Sequence, residues 1–154
     1  MKIKVMYRAQ CLAAVEGYGP EYDTDNILEP TLIISISSTD DTIPEMLEHA
    51  QNDMVRHVEF LQFDDIDVSE TVGGLIPMSE DDANQIVDAF LKYKNAVSQI
   101  IVHCDAGYSR SPAVAAALCI AFGMSDTEFF GPGYYPNMHV YRSMLRALEK
   151  RNII

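Results

Sequence analysis

The sequence lacks long apolar runs and has little cysteine. No stretch approaches the roughly 20 consecutive apolar residues of a membrane-spanning helix. Residues 1–5 alternate as a strand does and lack the apolar stretch of a secretory signal peptide. The three cysteines are an odd number without metal-ligand spacing, which argues against a disulfide framework. We therefore expect a reduced, cytoplasmic protein.

Positive charge is also scarce. The chain has 11 lysines and arginines against 23 aspartates and glutamates, which gives a formal net charge of −12. Such an acidic surface argues against nucleic acid and anionic membranes as partners, and it disfavours highly phosphorylated substrates. His49 and His57 have no cysteine or carboxylate arrangement that suggests a metal, so we expect neither a metal nor another cofactor.

The composition is that of an ordinary globular protein, and predicted strands and helices alternate along the chain. It has 154 residues, of which 48% are apolar and 22% charged, enough for one domain with a real core. Strands are predicted at 2–7, 31–38, 58–63 and 99–104, and helices at 10–16, near 43–50, after Ser79, after Arg110 and at 137–150. The alternation indicates an α/β fold with a central, mostly parallel sheet of four to five strands and helices on both faces.

Residues 103–111, which read HCDAGYSRS, stand out within this pattern. They join a strand that ends at Cys104 to a helix that Arg110 opens. A loop this short can curl so that its backbone N–H groups and the helix N-terminus face one anion. Gly107 permits a positive φ in the tight loop. Arg110 can grip two phosphoryl oxygens with its planar fork.

These residues predict nucleophilic chemistry on a phosphate. The field that binds a dianion also stabilises a thiolate, so Cys104 is predicted to be the nucleophile near neutral pH. Ser111 can donate a hydrogen bond to the sulfur and ease its departure, and His103 is placed to hold the loop. The candidate phosphate-binding residues are Asp105, Ala106, Gly107, Tyr108, Ser109 and Arg110.

The same nine residues match the pattern HCxxGxxR[S/T], so the chain resembles the cysteine-dependent protein tyrosine phosphatase superfamily. Its fixed positions are filled by His103, Cys104, Gly107, Arg110 and Ser111. Without a tyrosine-specific preamble, the chain is similar to the compact, dual-specificity-like branch. FDDI at 63–66 and PN..VYR at 136–142 resemble small predicted tyrosine phosphatases of bacteria and phages.

That resemblance covers about residues 58–146. It implies a phosphatase-like fold, with one catalytic domain over residues 1–154. It also implies a phosphomonoester hydrolase that acts on phosphotyrosine, or with dual specificity, through a phosphocysteine.

The resemblance also requires a general acid on a loop beyond the end of a neighbouring strand. Asp64, Asp65 and Asp67 form the only carboxylate cluster in such a position, directly after the strand predicted at 58–63. The familiar Trp-Pro-Asp triplet is absent. We predict that Asp65 is the acid because it matches the FDDI element, with Asp67 as the second choice and Asp64 as the third.

Other functions stay open from the sequence. A phosphatase of nucleotides or inositol phosphates usually has lysines in the loop, whereas this loop carries Asp105 and no lysine. A module that only binds phosphorylated ligands needs no nucleophile. A rhodanese-like sulfur carrier also uses a cysteine in an anion-binding loop, but Arg110 followed by Ser111 favours phosphate.

Three further polar or reactive residues have simpler interpretations. Asn137 either orders the attacking water or caps the last helix, and we expect the cap. Cys11 is expected to be a small core residue. Cys119 lies nine residues after Arg110, roughly 13 Å along a helix, too far from Cys104 for a disulfide.

Overall fold

The computed structural model describes residues 1–154 and contains one sheet of four parallel strands. The strand order is β1-β4-β2-β3. The strands are β1 (Lys2–Tyr7), β2 (Thr31–Ser37), β3 (Val55–Gln62) and β4 (Gln99–Cys104). The helices are α1 (Arg8–Glu16), α2 (Met46–His49), α3 (Glu80–Tyr93), α4 (Arg110–Ala121) and α5 (Met138–Lys150), with 3-10 turns at Gly19–Tyr22 and Thr127–Phe130.

The two central strands have the burial that is typical of a parallel sheet. Every residue of β2 and β4 is buried, as expected of strands covered on both faces. The pair is in register at Ile33 and Ile101, and β1 joins the other side of β4 with Val5 opposite Val102. Parallel neighbours require crossover connections, and helices supply most of them.

Helices cover both faces of the sheet, as the sequence predicts. Helices α3, α4 and α5 pack on one face, in a core that includes Phe63, Phe90 and Leu118. Helices α1 and α2 cover the other face, where Cys11 and Leu47 contact the sheet core. None of the helices combines the length and apolar character needed to cross a bilayer.

The largest boundary differences from the sequence-based expectation are in β3 and α2. Strand β3 begins at Val55, three residues before the predicted start, because Val55 pairs with Thr31 of β2. Helix α2 is a single turn, in which only Leu47 is buried. It ends at Ala50, whose backbone is extended, so the apolar spacing at 43–50 marks one anchored turn and not a longer helix.

Candidate active site

The HCDAGYSRS segment lies at the carboxyl edge in the middle of the sheet. Cys104 is the last residue of β4, which lies between β1 and β2, and Arg110 is the first residue of α4. The predicted strand, loop and helix are therefore all present. This edge is where α/β folds place their ligand sites.

Gly107 is required by close packing as well as by backbone conformation. Its φ is +65°, and a Cβ there would lie 2.8 Å from the backbone nitrogen of Tyr7 and 2.9 Å from the carbonyl carbon of Met6. No side chain fits that space. The Arg8 N–H also donates to the Asp105 carbonyl over 3.2 Å, so the end of β1 holds the loop.

The candidate nucleophile lies beside a hydroxyl group. Cys104 is 2% exposed, and its Sγ lies 3.0 Å from Oγ of Ser111, the second residue of α4. A hydroxyl at this distance can donate to a thiolate, since sulfur carries no proton in that state. The contact matches the role predicted for Ser111.

His103 is hydrogen-bonded at both ring nitrogens and is not placed as a proton shuttle. Its Nε2 lies 2.7 Å from Oγ of Ser35, and its Nδ1 lies 3.3 Å from the Cys104 carbonyl oxygen. Burial lowers the pKa of His103 to about 4, and the charges of Arg8 and Arg110 act in the same direction. The imidazole is therefore neutral at pH 7 and serves as a hydrogen-bonding brace.

The Arg110 guanidinium is hydrogen-bonded to the protein through Nη1, whereas its Nε has no partner. Its Nη1 donates to the Phe63 carbonyl over 2.8 Å and to the Ser38 hydroxyl over 3.0 Å, while its Nε is buried without a partner. A buried donor without a partner is unusual, because it forfeits its hydrogen bonds to water. An oxygen of a bound phosphate would satisfy it.

Asp65 directly contacts the phosphate loop, which is the segment of candidate phosphate-binding residues 105–110. Its Oδ1 accepts from the Ser109 hydroxyl over 2.8 Å and from Nδ2 of Asn137 over 2.9 Å. The carboxylate thus belongs to the same hydrogen-bonded group as the loop that carries Cys104 and Arg110. Asp67 is exposed, and its side chain makes no hydrogen bond or ion pair.

Asp64 is buried and fully engaged in holding the backbone. Its carboxylate accepts from the Thr39 N–H at 2.9 Å, the Thr39 hydroxyl at 2.7 Å and the Ile76 N–H at 2.8 Å. Burial by itself raises the pKa of Asp64. The hydrogen bonds from Ile76 and Thr39, together with the charge of Arg110, outweigh that effect and leave the pKa below its usual value. This carboxylate therefore has a structural role.

The loop after β2 contributes groups that the sequence analysis missed. Ser38 contacts Arg110, Thr39 contacts Asp64, and the Arg8 guanidinium donates to the Asp41 carboxylate over 3.2 Å and to the Thr42 carbonyl over 2.6 Å. The polar run SSTDDT, residues 37–42, was an available signal. It could not be used because the sequence does not show that β2 lies next to β4.

An exposed aromatic pair borders the loop. The rings of Tyr108 and Tyr135 are stacked, with centroids 6.3 Å apart and planes 16° apart, and their exposed fractions are 50% and 73%. The Tyr135 N–H donates to the Tyr108 carbonyl over 2.9 Å. The backbone therefore fixes one tyrosine beside the other at the rim of the phosphate loop.

The other two cysteines are not candidate nucleophiles. All three cysteines are free, and both Cys11 and Cys119 are buried as predicted. Burial raises the pKa of Cys11 to about 12 and that of Cys119 to about 11. Both thiols stay protonated at neutral pH. No group of three histidine, cysteine or acidic side chains is arranged to hold a metal ion.

We predict that Asp64→Asn destabilises the fold in a pH-dependent way. At pH 7 the NH2 group that replaces one carboxylate oxygen would face a donor of Thr39 or Ile76, with an expected loss of about 1–3 kcal/mol in the free energy of unfolding. Because the folded-state pKa is lowered, the carboxylate stabilises the fold above about pH 4, and that contribution disappears as the pH falls through the folded-state pKa. Urea denaturation at several pH values measures the difference.

The matched control for that variant is Asp67→Asn, which removes an exposed carboxylate from the same segment. We expect it to change the stability little at any pH. Equal losses for the two variants, or a loss for Asp64→Asn that does not shrink in acid, would contradict the structural role of Asp64.

Comparisons with known proteins identify the fold. No protein-family model and no curated protein sequence matches the chain. Among solved structures, PTPMT1 in complex with PI(5)P matches with a TM-score of 0.56 at 14% identity, covering 98% of this chain and 92% of that one. The PTP-2 phosphatase of Cydia pomonella matches with a TM-score of 0.55 at 14% identity, covering 95% of this chain and 85% of that one. The chain therefore has the α/β fold that these solved structures share.

Proposed function

We propose that this protein hydrolyses phosphate monoesters through a phosphocysteine on Cys104, with phosphotyrosine in a protein as the substrate. One observation carries the proposal. Asp65 is hydrogen-bonded to Ser109, inside the loop that also supplies Cys104 and Arg110. The proposed nucleophile and phosphate-binding arginine therefore lie on one loop, and the proposed proton donor is hydrogen-bonded to that loop, as a two-step displacement requires.

In the first step, the Cys104 thiolate attacks phosphorus. The P–S bond forms, the bond to the ester oxygen breaks, and Asp65 gives its proton to the departing oxygen. Arg110 and the backbone N–H groups of the loop stabilise the charge on the other phosphoryl oxygens. The buried Nε of Arg110 then has a partner.

In the second step, water replaces sulfur at phosphorus. Asp65, now a carboxylate, takes a proton from the water, the new P–O bond forms, and the P–S bond breaks. Ser111 donates to the departing thiolate from 3.0 Å, which makes the sulfur a better leaving group. The products are inorganic phosphate and the free enzyme, with no cofactor consumed.

Two features support an aryl ester as the substrate. The exposed pair of Tyr108 and Tyr135 offers aromatic surface at the rim, against which a phosphotyrosine ring can pack. The loop carries Asp105 and no lysine, and the chain has a net charge of −12, which disfavours substrates with several phosphates.

A phosphatase of phosphorylated small molecules is the second candidate. PTPMT1, which shares the fold, was solved with PI(5)P, so this fold accommodates an inositol lipid in another protein. The loop of this chain carries Asp105 and no lysine, which disfavours a ligand with more than one phosphate and so favours the peptide. A module that only binds phosphorylated ligands is the third candidate, and the presence of both a nucleophile and an acid argues against it.

Turnover on a panel of phosphopeptides, inositol phosphates and nucleotides tests the proposal. We expect the purified protein to favour phosphotyrosine peptides, and we expect Cys104→Ser to abolish turnover while retaining binding, because the loop still holds the phosphate. Isothermal titration of the variant with the phosphopeptide checks the binding. Wild-type-like turnover by a homogeneous Cys104→Ser sample would exclude the covalent mechanism.

The general acid is tested by the choice of leaving group. We expect Asp65→Asn to reduce kcat about 100-fold or more on a poor leaving group such as an alkyl phosphate. The loss should be much smaller on an activated aryl phosphate, whose oxygen needs little protonation in the transition state. The variant should also lose the high-pH limb of its rate profile.

Asp67→Asn and Asp64→Asn serve as the comparison for that experiment. Neither should show the dependence on the leaving group. If Asp67→Asn alone shows it, the acid is Asp67 and the covalent mechanism stands. If none of the three shows it, the acid lies outside this segment.

A further inference from the structure

We propose that Asn137 is a positioning residue for the general acid, and that its side-chain amide holds Asp65 in the orientation needed for proton transfer. The inference rests on the proposed function, since it assigns Asp65 as the acid. It goes further because it names the group that fixes that acid. It also couples the start of α5 to the chemistry at the phosphate loop.

Asn137 contacts three parts of the site. It is 5% exposed. Its Nδ2 donates to Oδ1 of Asp65 and to the Ile66 carbonyl, both over 2.9 Å, and its Oδ1 accepts from the Val140 N–H over 3.1 Å. Its backbone N–H donates to the Ser109 carbonyl over 3.0 Å. One residue thus joins the phosphate loop, the acid segment and α5.

The amide orientation is fixed by these partners. If the amide were rotated, its oxygen would face the oxygens of Asp65 and Ile66, and its NH2 group would face the Val140 N–H. The predicted helix cap is confirmed, because Oδ1 of Asn137 caps α5. Both N–H donors of the amide are already used. Ordering the attacking water through this NH2 group would require breaking one of these bonds.

The contacts determine which oxygen of Asp65 can carry the proton. Ser109 and Asn137 both donate to Oδ1, so the proton of the neutral acid lies on Oδ2. Two donors on one oxygen also restrict rotation of the carboxyl group. An exposed aspartate without such partners would sample several rotamers, and few of them would point a proton at the leaving oxygen.

The surrounding backbone offers little other support. Between Asp64 and Ile76, which are tied to each other, the backbone bonds within the segment are the isolated bridge between Val72 and Leu75 and a bond from the Ile66 N–H to the Asp64 carbonyl over 3.0 Å. Most of its residues are exposed. Within this segment, the bond from Asn137 to the Ile66 carbonyl anchors the backbone directly after the acid.

A cap alone would not require an amide. Helix α3 is capped by Ser79, whose hydroxyl accepts from the Asp82 N–H over 3.0 Å. A hydroxyl or a carboxylate is as good a cap as an amide. What Asn137 adds is an NH2 group directed at two oxygens of the acid segment. A variant that loses only the NH2 group therefore separates the capping of α5 from the positioning of Asp65.

Asn137→Asp is the variant that makes this separation. It has the same shape and keeps the cap, but it places a carboxylate oxygen against Asp65 and Ile66. We expect kcat on an alkyl phosphate to fall about tenfold or more, within the range of general acid–base effects. We expect a smaller change on an activated aryl phosphate and little change in KM on either ester. Asn137→Ser, which also caps but cannot reach both oxygens, should behave in the same way.

A double-mutant cycle shows whether Asn137 acts through Asp65. In an Asp65→Asn background, Asn137→Ser should cause no further loss on the alkyl ester, because the acid is already absent. Losses that multiply in the double variant would overturn the proposal, since they would indicate a role in the loop or in water activation. Ser79→Ala is the control, because it removes a helix cap whose hydrogen bonds go to Asp82 and not to Asp65, and it should leave the ratio of alkyl to aryl turnover unchanged.

Hydrogen exchange provides a readout that does not depend on turnover. We expect amides in residues 65–75 to exchange faster in Asn137→Asp and Asn137→Ser than in the wild type, while Ser79→Ala leaves them unchanged. If the wild-type protein shows no turnover, the proposed function fails, and exchange still tests the tether. Unchanged exchange in both Asn137 variants would overturn the positioning role even in an active enzyme.

Discussion

The bond from Arg110 to the Phe63 carbonyl is the interaction on which the rest of the site depends. Under the proposed function, this guanidinium faces a phosphate dianion. Its orientation has to be fixed before binding, because an arginine side chain loses much rotamer entropy when it is fixed. Here Nη1 is committed to Phe63 and Ser38, at the ends of β3 and β2, while Nε remains without a partner. The sheet edge thereby aims the guanidinium before any ligand arrives.

The same edge is held together by bonds between the loops that follow three different strands. Asp64, after β3, accepts two bonds from Thr39, after β2. Arg8, after β1, donates to the backbone and carboxylate of the β2 loop. The Asp41 and Asp64 carboxylates partly offset the positive charges of Arg8 and Arg110. This edge therefore holds two guanidinium groups beside the phosphate loop in a protein whose net charge is −12. Preorganisation of this kind makes electrostatic stabilisation effective, because few groups need to move during the reaction.

Much of the fold could be predicted from the sequence, because its signals are local. The apolar runs of β2 and β4 specify buried parallel strands, and Ser79 and Asn137 mark helix starts through their capping chemistry. Strand order is not local. Without it, Ser38 is predicted only as the end of a strand and Thr39 only as a loop residue. The contact between Asn137 and Asp65 joins residues 72 positions apart and has no local signal.

The central claim is that Cys104 forms a covalent bond to phosphorus during turnover. Rapid acid quenching of the enzyme during turnover of an aryl phosphate, followed by mass spectrometry of its peptides, tests this claim directly. The account predicts that the peptide containing Cys104 gains the mass of one phosphoryl group and that Cys104→Ser gains none. It also predicts a burst of the phenol product no larger than the enzyme concentration. Turnover with an unmodified Cys104 peptide, or with the phosphoryl group on another residue, would contradict it.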